Sequence, residues 1–232
     1  RRLYLSVLAP SLVVVTLLGT LAIFSVMLLG AVRAYVGGES LWSKARSEAV
    51  QHLRDYAASH ADADYALFEA ALKVPLGDRR AREGMSLPKP DTPTIRKAFL
   101  EGGNHPDDID GMITLFRHFG DRDLFKDSLA AWEEGDSLIA HLQAQGQLLR
   151  QAIQGQASPS QIAALLQGIT QLNNALFQAE IRFSTNLARA SRLTENLLAG
   201  SILLAMGALS LAGYLIMRQG LRSQHRYQQD LA

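Results

Sequence analysis

Apolar and polar positions divide the chain into three regimes. Leu3 to Val32 is a run of thirty residues without a charge, and Leu197 to Met217 is a second, of twenty-one. Each exceeds the roughly 20 residues that carry a helix across a bilayer core. Between them the pattern becomes amphipathic. Trp42, Ala45, Ala49, His52/Leu53, Tyr56 and His60 recur at three-to-four spacing, one face of a helix that starts after Gly37-Gly38 and is expected to reach about Leu72. The stretch "VPLGD" predicts a break there, with Asp78 capping a short helix to about Gly84. "SLPKPDTP" reads as a loop because it holds three prolines in eight residues. Thr92 followed by Pro93 has the form of an N-cap and first helical position, and Gly102-Gly103 ends that helix.

The segment "EGGNHPDDIDGMITLFRHFG", residues 101–120, predicts a short helix. Asn104 is its expected cap, Pro106 suits the first turn, and Asp107, Asp108 and Asp110 favour the positive end of the helix dipole. Met112, Ile113 and Phe116 supply a buried face, and Gly120 stops it. A long helix follows from Asp121 to about Gln154, with Phe125, Leu129, Trp132, Ile139, Leu142, Leu149 and Ile153 along its seam. After "GQASPSQ", Ser158, Pro159 and Gln161 form a capping-box start. From Ile162 through Leu176, Phe183 and Leu187 to Leu197 the apolar phase is sustained, so one helix is expected from Pro159 through the second apolar run to Gln228. No strand pattern occurs. The predicted fold is all-α: an up-down four-helix bundle over residues 34–195 with short inserted helices, set between two membrane-spanning helices.

Charge orients this arrangement. Arg1 and Arg2 precede the first run; Arg218, Arg222 and Arg226 follow the second. Basic residues at both outer ends place both ends in the cytoplasm and residues 34–195 in the periplasm of a bacterial inner membrane. Arg33, at the far end of the first run, can snorkel to the interface. The first run is too long for the apolar core of a signal peptide and no A-x-A cleavage site follows, so an uncleaved anchor is expected. A thirty-residue helix is about 45 Å long, so it must tilt or continue into the outer domain. A chain opening on Arg1 rather than Met is expected to be part of a longer protein.

Composition narrows the chemistry. Zero cysteine removes disulfides and thiolate sites. The outer segment holds 17 Lys/Arg against 21 Asp/Glu and has no basic patch for nucleic acid. No Walker loop, zincin helix or nucleophile elbow is present, so this region is not expected to be an enzyme, and no cofactor is expected. His105 and His118 lie thirteen residues apart at opposite ends of one short helix, which argues against a metal site. His52, Tyr56 and His60 share a helix face in this reading and are seam residues rather than cofactor ligands. Asp136, and Asn173-Asn174, are polar positions near the seams and are expected to set register.

The candidate ligand contacts lie in "GDRRAREG". Arg79, Arg80 and Arg82 would sit in the first turns of a helix, where cations oppose the dipole, so local helix physics does not account for them. With free backbone N–H groups they would hold a carboxylate or phosphate. Arg96, Lys97, Asn104 and His105 complete the candidate set. The competing role for these arginines is to pair with Asp107, Asp108 and Asp110 and clip the inserted helices to the bundle.

The phrases "GGESLWSKARSEAVQHLRDY", "VPLGDRRAR", "GNHPDDIDGMITLFRHF" and "AAWEEGDSLIAHL" resemble the periplasmic sensor region of membrane-anchored GGDEF/EAL proteins, over about residues 35–150. The overall plan is also similar to the four-helix-bundle input domains of chemoreceptors and histidine kinases. The resemblance implies a sensory input module that detects a small periplasmic signal and controls synthesis or breakdown of cyclic di-GMP, working as a homodimer. After the second run, "MRQGLRSQHRYQQDLA" lacks the proline that opens a HAMP relay, which suits a helix running directly into cytoplasmic units. Neither a GGDEF, an EAL nor a kinase motif lies within these residues. The rival expectation is an anchor that binds a periplasmic partner protein or dimerises an output enzyme.

Overall fold

The computed structural model describes the backbone of residues 2–120 and 123–229. Over these residues the protein is all-helical, with six helices and no strand: α1 Arg2–Ser59, α2 Asp62–Met85, α3 Thr92–Glu101, α4 Pro106–Phe119, α5 Asp123–Gln154 and α6 Pro159–Gln229. Two compact units result. One comprises residues 1–29 and 192–232; the other comprises residues 30–191. α1 and α6 are each long and apolar enough to cross a membrane, with best-window mean hydropathies of 2.7 and 1.8. Their apolar stretches are solvent-facing: Leu12, Val26, Leu197, Leu203 and Leu204 are all exposed. Toward the end of the first apolar run this changes, and Ala31 and Val32 are buried within the 30–191 unit.

The core of that unit draws on four helices. Trp42, Ala49, Leu53 and Tyr56 of α1 cluster with Tyr65, Phe68 and Leu72 of α2, Ile139, Leu142 and Leu149 of α5, and Ile169 and Leu176 of α6. Tyr56, Tyr65 and Phe68 stack edge-on or tilted at 5.2 and 5.4 Å, and the Arg150 guanidinium lies 4.4 Å from the Tyr65 ring centre. Trp42, Ala49, Leu53, Tyr56, Ile139, Leu142, Leu149 and Leu176 are among the apolar positions that the three-to-four spacing marked, whereas Tyr65 and Phe68 were not singled out.

Several helix boundaries differ from expectation, each for a local reason. α1 does not begin at Gly37-Gly38 but runs through them, and it ends at Ser59 rather than near Leu72. His60 adopts a left-handed backbone, φ 57°, which turns the chain. The Ser59 hydroxyl receives the Ala61 N–H and donates to Asp64, and Asp62 and Asp64 sit in the first turn of α2. His60 is therefore off the helix and does not share a face with His52 and Tyr56. The three-to-four spacing continued across this turn because the antiparallel helix beyond it also needs an apolar stripe. Conversely, α2 is unbroken through Pro75, and Asp78 is a buried mid-helix residue, not a cap. Asp91, not Thr92, is the N-cap of α3, and Gly102 closes that helix as expected. α6 begins as read: Gln161 Oε1 accepts from Ser158 N–H at 2.9 Å, and Gln161 N–H meets the Ser158 hydroxyl at 3.4 Å.

Gly77 explains how α3 seats on α2. A Cβ there would lie 2.6 Å from the Gly102 nitrogen and 2.8 Å from the Ala98 carbonyl oxygen, both backbone atoms with nowhere to go. Gly77→Ala is expected to cost about 1–3 kcal/mol, the range of overpacking in a close-packed interior. Thermal unfolding in a membrane mimetic measures it. An unchanged melting temperature would show that the α2–α3 contact yields freely.

Candidate functional site

The inserted helices shape the site. α3 and α4 are joined by the 102–105 turn, where Gly103 is left-handed at φ 80°. Asn104, read as a cap, is buried instead: its Nδ2 donates to Asp78 Oδ1 at 2.8 Å and to the Phe99 carbonyl at 3.1 Å. The cap of α4 is His105, whose Nδ1 receives the Asp107 N–H. α4 is held against α1. The Tyr35 hydroxyl donates to the Met112 carbonyl at 3.0 Å, Arg33 pairs with Asp108 at 2.8 Å, and Gly111 lets the helix approach Ala31.

Beside these contacts lies a partly open cavity, with about 500 Å³ of empty space that includes open solvent. Its wall is aromatic: Tyr35 and Trp42 from α1, Phe99 from α3, Trp132 from α5 and Phe183 from α6. Tyr35 meets Trp132 edge-on at 6.1 Å, and Trp132 meets Phe183 at 6.0 Å. Its polar groups are Glu39, Asp78, Asn104 and Glu180, and among the described residues no Lys, Arg or His lines it. A second, apolar cavity shares Tyr35, Trp132 and Phe183 and extends toward Phe116, Phe125 and Leu187.

The three carboxyls differ in their compensation. Glu180 is answered from behind: Arg46 Nε lies 3.0 Å from one oxygen and the Ser43 hydroxyl donates to the other at 2.6 Å. Arg46 also donates to Asn173 Oδ1 at 2.6 Å, which gives that polar seam residue its role. Asp78 has only Asn104 as a bonded partner among the described residues. Burial raises its pKa well above the ordinary carboxylate range, against the lowering effect of the Asn104 hydrogen bond, and Asp136 raises it further. Glu39 is half-buried, and burial, then the neighbouring Glu180 carboxylate, raise its pKa. Trp42 is 9% exposed and its Nε1–H has no hydrogen-bond partner among the described residues. A buried donor left without a partner is costly.

Of the sequence candidates, only Asn104 lines this cavity. Arg79 pairs with Glu83 at 2.7 Å, Arg80 with Glu101, and Arg96 with Asp110 and the Pro106 carbonyl. Arg82 is buried, with Nε 2.8 Å from Asp136 and Nη1 3.0 Å from Glu133. Lys97 is exposed on α3, and His105 is occupied as a cap. Arg80, Arg82 and Arg96 do fasten helices together, but through Glu101, Glu133 and Asp136 as well as Asp110, whereas Arg79 pairs within α2. Asp108 pairs with Arg33 instead, and Asp107 with His105. His118 Nδ1 contacts its own helix at Thr114 O, and among the described residues no group of three His, Asp or Glu converges to hold a metal ion.

The residues that sequence reasoning missed are Tyr35, Glu39, Trp42 and Glu180 as a set. One signal pointed to Glu180: it is the sole acidic residue between Asp136 and Glu195, and it adjoins the seam positions Leu176, Ala179 and Phe183. No family model, curated protein or solved structure matches this chain.

Proposed function

We propose that residues 30–191 form the sensory input module of a bacterial inner-membrane signalling protein, built as an up-down four-helix bundle whose aromatic cavity is the ligand site. One observation carries this reading: the two helices that hold the apolar runs, α1 and α6, also contribute Tyr35, Glu39, Trp42, Glu180 and Phe183 to the cavity. A ligand that favours one arrangement of these helices acts directly on the segments that enter the membrane. It shifts the balance between arrangements by its difference in affinity for them. The anionic signal expected from the arginines has less to support it, because Arg79, Arg80, Arg82 and Arg96 are all paired with carboxylates.

In this reading the chain crosses the membrane twice, both ends are cytoplasmic and the cavity is periplasmic. The output is synthesis or breakdown of cyclic di-GMP, by resemblance; a histidine kinase or chemoreceptor is the alternative. The module works as a homodimer. Exposed Phe177 and Ile181, one turn apart on α6, favour a paired helix face, and the same face would serve a protein partner in the rival anchor role. Reporter fusions after Gly103 and after Ala232 test the topology. The expected result is periplasmic activity for the first and cytoplasmic activity for the second. A reporter at Ala232 that is active in the periplasm would overturn the arrangement.

A further inference from the structure

The lining of the cavity specifies a kind of ligand. Its aromatic faces carry negative electrostatic potential and attract a cation held within about 6 Å of a ring centre. Five rings from four helices border one space, two of them tryptophans, the most favourable residue for such a contact. The acidic groups point the same way. Glu180 is answered by Arg46, but Glu39 and Asp78 have no cationic partner among the described residues, and the lining brings none. An anion entering here would meet three carboxyls and a wall of five aromatic rings. A neutral apolar guest would leave Glu39 uncompensated. A compact organic cation answers the carboxyls and the rings at once.

We propose that this cavity binds a small organic ammonium compound, its cationic head between the Trp42 and Trp132 rings and its charge answered by Glu39 and Asp78. The proposal rests on the cavity being the ligand site of the input module and adds the chemical class of the signal. Specificity over inorganic cations follows from the site's composition: a hard metal ion asks for six or more oxygens, whereas this wall is mostly carbon.

The test uses the full chain in lipid nanodiscs and reads thermal unfolding against added choline, tetramethylammonium and putrescine, up to about 10 mM. Dimethylbutanol, the uncharged isostere of choline, is the control. A binder of the folded state raises the melting temperature progressively with concentration. The expected result is stabilisation by at least one ammonium compound and none by dimethylbutanol. Glu39→Gln and Asp78→Asn, each near in shape to the residue replaced, are expected to weaken apparent affinity about tenfold or more. Glu39 is half-buried, so its variant keeps the fold even if the Asp78 variant does not. No shift with any of the three ammonium compounds overturns the proposal. Equal shifts with choline and dimethylbutanol overturn it as well, as does unchanged affinity in the Glu39 variant. None of those outcomes touches the sensor reading, which stands or falls on the topology and on the phase of α6.

Discussion

Replacing Arg82 by Met is expected to destabilise the protein by about 3–5 kcal/mol, the cost of removing one member of a buried ion pair. In a domain of this size that is a fall in melting temperature on the order of 10 °C. Arg82 and Asp136 are 10% and 4% exposed at their side chains and meet at 2.8 Å. Without the guanidinium, the Asp136 carboxylate is left in the interior, with its second oxygen already unpartnered. The pair is not a net source of stability, however. Burial raises the Asp136 pKa to about 6 despite the lowering effect of Arg82, so the cost of burying the charge exceeds what the partner returns. Two consequences follow. The double replacement Arg82→Met with Asp136→Leu is expected to recover most of the loss, since an apolar pair of similar volume carries no such cost. And because the folded pKa lies above the unfolded value of 3.8, the folded state holds the proton more tightly. The contribution of Asp136 is then full below about pH 4 and is lost as the pH rises through 6. Relative to Asp136→Asn, the native protein is expected to lose up to about 3 kcal/mol over that window. A flat difference between the two from pH 4 to 7, measured by chemical unfolding, would show that Asp136 is ionised throughout.

On the proposed sensory function, inserting one residue after Arg192 is expected to abolish or lock signal-dependent output, whereas inserting seven largely preserves it. α6 is helical from Pro159 to Gln229, through Gly168 and Gly200, so the site side chains Glu180 and Phe183 and the apolar segment beyond Leu197 belong to one continuous helix. One added residue rotates everything beyond it by about 100°, while seven nearly restore the phase. A helix shift of about 1–2 Å is the usual scale of such relays, and a continuous helix passes it on because it has no local hinge. Cyclic di-GMP turnover, or phosphotransfer if the output is a kinase, reads the result. Equal output from both insertions, with the protein still in the membrane, would reduce α6 to a tether.

Much of the helical plan was legible because its signals are local. The start of α6 lies in three neighbouring residues, Ser158, Pro159 and Gln161. The ends of α3 and α4 lie in Gly102 and Gly120, and the two apolar runs declare themselves by length. The misplaced turn between α1 and α2 shows the limit. "VPLGD" carries the stronger local break signal, since proline costs a helix interior about 3 kcal/mol. Yet α2 continues through Pro75, while the turn falls at Ser59-His60-Ala61, where no Pro or Gly stands. The reason is tertiary. Bare Gly77 admits the backbone of α3, and Pro75 itself is buried, so packing offsets a loss that local propensity cannot.

What the sequence by itself determined is the all-helical class, the two apolar helices and the amphipathic segments between them. All of these depend on periodicity and composition within a single helix. What only the tertiary structure decided is which polar residues are taken and which are left over. Arg79, Arg80, Arg82 and Arg96 were conspicuous by their spacing, but each meets a carboxylate that is distant in sequence or on another turn. Glu39 was unmarked and Asp78 was read only as a cap, yet among the described residues neither meets a cation in an aromatic cavity lined by all six helices. Charge compensation in a helical protein is settled between helices, over separations of up to 134 residues for Arg46 and Glu180, and that pairing cannot be read along the chain.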